Sequence, residues 1–196
     1  MGPIRACPTS LPAGRICHSP GRTDTMSPSD SSPVEASATD SPLTVTHASE
    51  ADLPQLLRLE KLCISHPWTE RGFLDELNHS ESLLLIARTA ASAAPIGYLA
   101  ARRCVDEAEI LRVVVDPAQR NRGAARQLLI SGFRLLITEG VRAFFMEVRE
   151  DNAPALGLYR SLSFRVLHRR PNYYRDGCTA LVLAADSEDL GWMAAP

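Results

Sequence analysis

From Val45 onward, apolar and polar positions follow the periods of regular structure. "LTVTHAS" alternates as a strand does, and Leu53, Leu56, Leu57 and Leu59 recur at helical spacing between Ser49, a capping residue type, and Leu62. A second short helix is expected through Leu77 in "SHPWTERGFLDEL", with Thr69 as its cap. "SLLLIARTA" and "PIGYLAARRCV" read as an antiparallel hairpin joined by the Ala-rich turn before Pro95, and "EAEILRVVVD" as the next strand. Alternation fails at Val113 to Val115, where three apolar residues in succession indicate a fully buried strand or a bulge.

The next helix spans about Arg122 to Gly140, with Leu128, Leu129, Phe133, Leu136 and Ile137 on one stripe and Gly140 as its stop. "RAFFMEVR" is a strand, and Asn152 and Pro154 open another helix that ends near Leu162. "SFRVLHRR" and "CTALVLAA" are two last strands around the polar "RPNYYRDG" connection. This order predicts an α/β sandwich around a mixed sheet.

Composition separates the two ends of the 196-residue chain. Residues 1–44 hold 20 Ser, Thr or Pro and no aromatic residue, so they have little apolar surface to offset ordering and are expected to be a disordered tail. Arg5, Arg15 and Arg22 without an acid before residue 24 have the charge of a transit peptide, but four prolines in the first 20 residues oppose the helix one needs. Met26 stands as an alternative start. Residues 45–186 form the expected domain, and 187–196 a short tail. A net charge of -2 without a long basic run disfavours general nucleic-acid binding. Scattered Cys7, Cys17, Cys63, Cys104 and Cys178 lack metal-ligand spacing, so reduced thiols, a cytoplasmic location and no metal are expected. No apolar run approaches a membrane span, and a monomer or weak dimer is expected.

The stretch with the clearest chemistry is "VVVDPAQRNRGAARQLL". Asp116 and Pro117 end a strand, and "RNRGAA" leads into a helix whose first N–H groups lack intrahelical partners and face outward with the positive end of the dipole. Gly123 permits close backbone approach to a diphosphate, Ala125 is nearly as small, and Arg120, Arg122 and Arg126 add charge. Neither the P-loop nor the dinucleotide fingerprint is present. On this stretch alone, an Arg-rich solvated helix start is an equal reading.

Arg120-x-x-Gly123-x-Ala125 after "VVVDP" resembles the acetyl-CoA signature of the GNAT acyltransferases. "MEVREDNAPALGLYRSLSF" and "RRPNYY" narrow the resemblance to the RimI family of bacterial N-terminal alanine acetyltransferases of a ribosomal protein, over roughly Leu43 to Ala185. The resemblance implies the GNAT fold, a mixed, mostly antiparallel central sheet with helices on both faces. It also implies acetyl-CoA as co-substrate and the α-amine of a protein N-terminus, in a small-subunit ribosomal protein, as acceptor. One departure is Ser163 where the family has glycine, a change that costs stability if the position needs positive φ.

In such enzymes the amine attacks the thioester directly, so the protein orients two substrates and moves protons. By the resemblance, Glu147 is the proton acceptor and Tyr159 the donor to the leaving sulfur. Arg120, Asn121, Arg122, Gly123, Ala124, Ala125, Arg126 and Asn152 bind the cofactor, and the Val113, Val114, Val115 backbone pairs with its pantetheine arm. Trp68, Tyr173 and Tyr174 line the acceptor groove. Each has a plainer reading: Glu147 paired with Arg149 or another surface cation, Tyr159 packed on the sheet, Asn152 only a cap, and Trp68, Tyr173 and Tyr174 packed at loop bases. Two further readings of the whole are a GNAT enzyme acting on lysine or a small amine, and an acyl-CoA-binding module without turnover.

Overall fold

The computed structural model describes residues 42–190, apart from Ala91. Most of the expected N-terminal tail, the alternative start at Met26 and the last six residues lie outside them. Among the described residues, seven strands form one sheet: β1 (Leu43–His47), β2 (Ser82–Thr89), β3 (Ser92–Cys104), β4 (Glu107–Val115), β5 (Ala143–Arg149), β6 (Arg165–Arg170) and β7 (Ala180–Asp186). Their order is β1-β2-β3-β4-β5-β7-β6. Only β4 and β5 pair in parallel, and the other neighbours are antiparallel.

Helices α1 (Leu53–Cys63) and α2 (Glu70–Leu77) cover one face, while α3 (Ala124–Thr138) and α4 (Ala153–Ser161) cover the other. Alternation sends Leu84, Ile86 and Tyr98 to the α1/α2 core, and Leu83, Leu85 and Leu99 to the α3/α4 core. Thr69 caps α2, its hydroxyl accepting from Gly72 N–H at 3.2 Å. Among the described residues no helix is long and apolar enough to cross a membrane.

Three sequence expectations need correction. The hairpin turn is shorter than the Ala-rich stretch before Pro95: β3 already begins at Ser92, so Pro95 lies inside the strand. Pro95 is accommodated where the β2–β3 register shifts between Ala87 and Thr89, away from a regular ladder. The packed part runs past Asp186: Ser187–Asp189 form a 3-10 turn that leads Leu190 into the α3/α4 core.

The third correction concerns β4. Its bulge lies ahead of Val113, at Leu111, since Ala100 pairs with Arg112 and Ala101 with Ile110. One extra residue reverses which side chains face which way. Ala108 and Ile110 pack in the α3/α4 core, whereas Val114 packs in the α1/α2 core and Val113 and Val115 turn toward α3 and α4.

Candidate active site

The bulge also marks where the sheet opens. Pairing of β4 with β5 ends at Ile110 and Met146, so Leu111 to Val115 are held by β3 alone. A Cβ at Gly97 of β3 would come 2.6 Å from Val114 O, so glycine is needed there for β3 to follow β4 past the bulge. Asp116 N–H donates to Ile96 O at 2.8 Å. By antiparallel alternation, Arg112 and Val114 therefore direct their backbone groups to β3, and Val113 and Val115 direct theirs into the gap. Consistent with this, Val115 O accepts from Arg120 Nε at 3.4 Å and Cys63 Sγ at 3.7 Å.

The gap widens into a cleft of about 320 Å³ on the α3/α4 side, within the size range of ligand sites. Its walls include Val113, Val114, Val115, Arg120, Asn121 and Gly123. Ala124, Ala125, Arg126, Asn152 and Tyr159 line it as well. Arg122 is exposed and lies off the cleft wall. Gly123 has φ +78, and a Cβ there would meet nothing within 4 Å, so it opens onto space in a conformation that disfavours other residues. The first α3 backbone bond runs from Gln127 N–H to Gly123 O, which leaves the preceding N–H groups directed outward at the cleft end.

Asn152 both caps α4 and faces the cleft. Its Oδ1 accepts from Ala155 N–H at 3.3 Å, while Nδ2 is buried without a hydrogen-bond partner. An orphaned buried donor is costly unless a ligand meets it. Together with the outward N–H groups and Arg120, it fits a polar, anionic ligand such as coenzyme A.

Glu147 and Tyr159 approach the opening from opposite faces of the sheet. Tyr159 belongs to the α3/α4 core, and burial pushes its phenol well above the ordinary range. Glu147 lies on the other side of β5, its side chain 10% exposed. Both line a hollow of about 10 Å³ beside the main cleft, bounded also by Ile64, Arg112 and the Val113–Val114 backbone.

The surroundings of Glu147 are polar. Arg170 Nη1 donates to Oε1, whereas Oε2 is buried without a partner. Arg149, the cation suggested by the sequence, pairs instead with Asp151 and Asp176. Glu109 of β4 is pushed up by burial and then by the Glu147 charge, against the pull of Arg102 and Arg170. Burial and the same charge raise the phenols of Tyr173 and Tyr174. Those two tyrosines thus stand near Glu147, with Tyr173 exposed and Tyr174 under the Arg149 guanidinium at 4.8 Å. Trp68 is one step removed: it packs edge-on against Phe73 at 5.4 Å, lies under Arg112 at 4.4 Å and lines neither cavity.

Residues 53–164 match the family model of the acetyltransferase (GNAT) family. The chain is a member of the GNAT acetyltransferase family. It is similar to an uncharacterized protein of Mycobacterium leprae (32% identical over 166 residues), spanning 81% of this chain but only 44% of that protein. It is also similar to the [ribosomal protein bS18]-alanine N-acetyltransferase of Salmonella typhimurium, 34% identical over 67% of this chain and 86% of the relative. Among solved structures, the ribosomal-protein-S18-alanine N-acetyltransferase of Escherichia coli superposes with a TM-score of 0.68 at 28% identity, covering 74% of this GNAT chain and 94% of the other.

Several charged residues around this candidate site of the GNAT protein escaped the sequence reading. Glu60 and Arg112 are buried at 0% and 5% exposure. Their signal was a charge within an otherwise apolar context: Glu60 on the stripe of Leu53, Leu56 and Cys63, and Arg112 between "EIL" and "VVV". Arg170 and Glu109 gave no such signal, because partners brought by other strands define them.

Proposed function

We propose that this GNAT acetyltransferase transfers acetyl from acetyl-CoA to the α-amine of a protein N-terminus, with a ribosomal protein as its acceptor and the cytoplasm as its place of action. The observation that carries the reading is the convergence of Glu147 and Tyr159 on one small hollow from opposite faces of the opened sheet. It supports a cofactor entering along Val113–Val115 from the α3/α4 side and an amine arriving from the Glu147 side.

The outward N–H groups from Gly123 onward, Arg120 and Arg126 would hold the diphosphate of the cofactor, and Asn152 Nδ2 would donate to it. Acetyl-CoA supplies an activated thioester. The backbone N–H of Val113, turned into the gap, is placed to polarise a carbonyl there. Glu147 has one oxygen engaged by Arg170 and one without a partner, which can accept a proton from the amine. Tyr159 keeps its proton at neutral pH because burial opposes the phenolate, and so remains a donor for a departing thiolate. An α-amine has a pKa near 8 against about 10.4 for lysine, so roughly a tenth is neutral at pH 7 and a carboxylate base suffices.

The test is Glu147→Gln assayed on peptides beginning with Ala. Turnover should fall about 10²- to 10⁴-fold, the usual contribution of a general base, with acetyl-CoA affinity by calorimetry unchanged. Unaltered turnover would remove Glu147 from the role. Equal acetylation of an Nα-blocked, lysine-containing peptide would move the acceptor assignment to a side chain.

A further inference from the structure

Behind the acceptor side lies a buried polar cluster that the reaction does not require for proton transfer. Glu60, on α1, accepts from three elements at once: Tyr98 OH of β3 and Arg112 Nη1 of β4, together with Trp68 N–H of the α1–α2 loop at 2.7 Å. Arg112 continues the connection. Its Nη2 donates to His66 O at 3.4 Å, and its guanidinium lies 4.4 Å from the centre of the Trp68 ring.

The loop is therefore fastened at successive residues. Ile64 N–H donates to Glu60 O at 2.8 Å, His66 O accepts from Arg112, and Trp68 contributes both its N–H and its ring. Ile64 lines both the main cleft and the hollow shared by Glu147 and Tyr159. Arg112 also borders that hollow, and it faces Glu60 only because the Leu111 bulge reversed the strand's faces.

We propose that Glu60 and Arg112 are positioning residues that hold the 64–68 loop as the acceptor-side wall of the site, so that their loss weakens acceptor use without weakening cofactor binding. This rests on the acetyltransferase reading above for its kinetic consequence, but its structural consequence can be measured without turnover. A carboxylate with three donors fixes the loop because releasing it would strand a charge away from water. The planar guanidinium is specific to the role: lysine would keep the charge but lose both the stacking under Trp68 and the second donor to His66.

Two full-length variants test this. Glu60→Leu with Arg112→Met removes both charges together, an exchange that proteins tolerate better than loss of one partner. Arg112→Lys keeps the charge pair and serves if the double variant does not fold. Amide exchange at Trp68 should accelerate about tenfold or more once the Glu60 acceptor is lost in the double variant, and by less in Arg112→Lys. With an Ala-starting peptide, the acceptor KM should rise about tenfold, as misplacement at a site wall does, while the acetyl-CoA KM stays within about twofold. Unchanged Trp68 exchange in a folded variant would overturn the fastening itself. Faster exchange with an unchanged acceptor KM, or with both KM values raised alike, would overturn the positioning role. A wild-type protein inactive on every peptide would fail the functional reading and leave the exchange result to decide the fastening.

Discussion

Replacing Ser163 with glycine should stabilise this protein, and the reason can be worked from the end of α4. Leu162 ends the helix, Ser163 follows with φ +67, Ser163 N–H donates to Arg160 O and Phe164 N–H donates to Tyr159 O, both at 3.0 Å. This is the two-bond helix stop that normally places glycine at the left-handed position. A side chain bearing a Cβ costs about 1–2 kcal/mol in that conformation. Glycine's greater freedom in the unfolded chain returns about 0.4–1 kcal/mol of the gain. The net is about 0.5–1 kcal/mol in favour of Ser163→Gly, and at about 2–4 °C per kcal/mol for a domain of this size Tm should rise about 1–4 °C. Ser163 is exposed, so no packing is lost with its hydroxymethyl group. Differential scanning calorimetry of both proteins at one concentration and scan rate measures the shift, with Ser163→Val as the opposite control, since a branched Cβ worsens the strain. A Tm for Ser163→Gly equal to or below that of the parent would refute the reasoning. Because Tyr159 O accepts the capping bond, the same substitution should leave Tyr159 in place and turnover within about twofold.

Asn152→Ser should retain a capping oxygen for α4 while removing the buried donor; Tm should stay within about 2 °C while acetyl-CoA Kd by calorimetry rises about fivefold or more. Equal affinity would confine Asn152 to its cap. All four tyrosines, Tyr98, Tyr159, Tyr173 and Tyr174, have phenols raised by burial. A raised folded-state pKa contributes stability that is complete below the unfolded value near 10 and lost as pH climbs toward the folded value, so on the alkaline side the protein should weaken above about pH 10. For the buried Tyr98 and Tyr159, tyrosinate absorbance should then appear together with loss of near-ultraviolet circular dichroism, and ionisation of all four phenols near pH 10 in a folded protein would contradict their burial.

Much of the architecture could be read from local pattern. The helical spacing of Leu128, Leu129, Phe133 and Leu136, the caps Thr69 and Asn152, and the turn into Gly123 are properties of neighbouring residues, and neighbours are what a sequence displays. The proposed phosphate loop belonged to the same class, since it needs only a strand end, a glycine and a helix start. Tyr159 and Glu147 stood out as candidates because they sit in recognisable motifs, although nothing in their spacing says that they approach from opposite faces.

By itself, then, the sequence determined the elements, their order and the chemistry available at the helix starts, because each depends on residues within a few positions of one another. The tertiary structure decided what those elements open and hold. Whether "RVVV" held a bulge depended on its register with Ala100 and Ala101, residues about ten positions upstream. That single extra residue turned Arg112 toward Glu60, sent Val113 and Val115 to the cleft, and accompanied the parting of β4 from β5. Arg170, which engages Glu147, lies 23 residues away on β6, the second strand over from β5. Such pairings lie outside a local pattern because their free energy comes from burying partners together, and burial is a property of the assembled sheet.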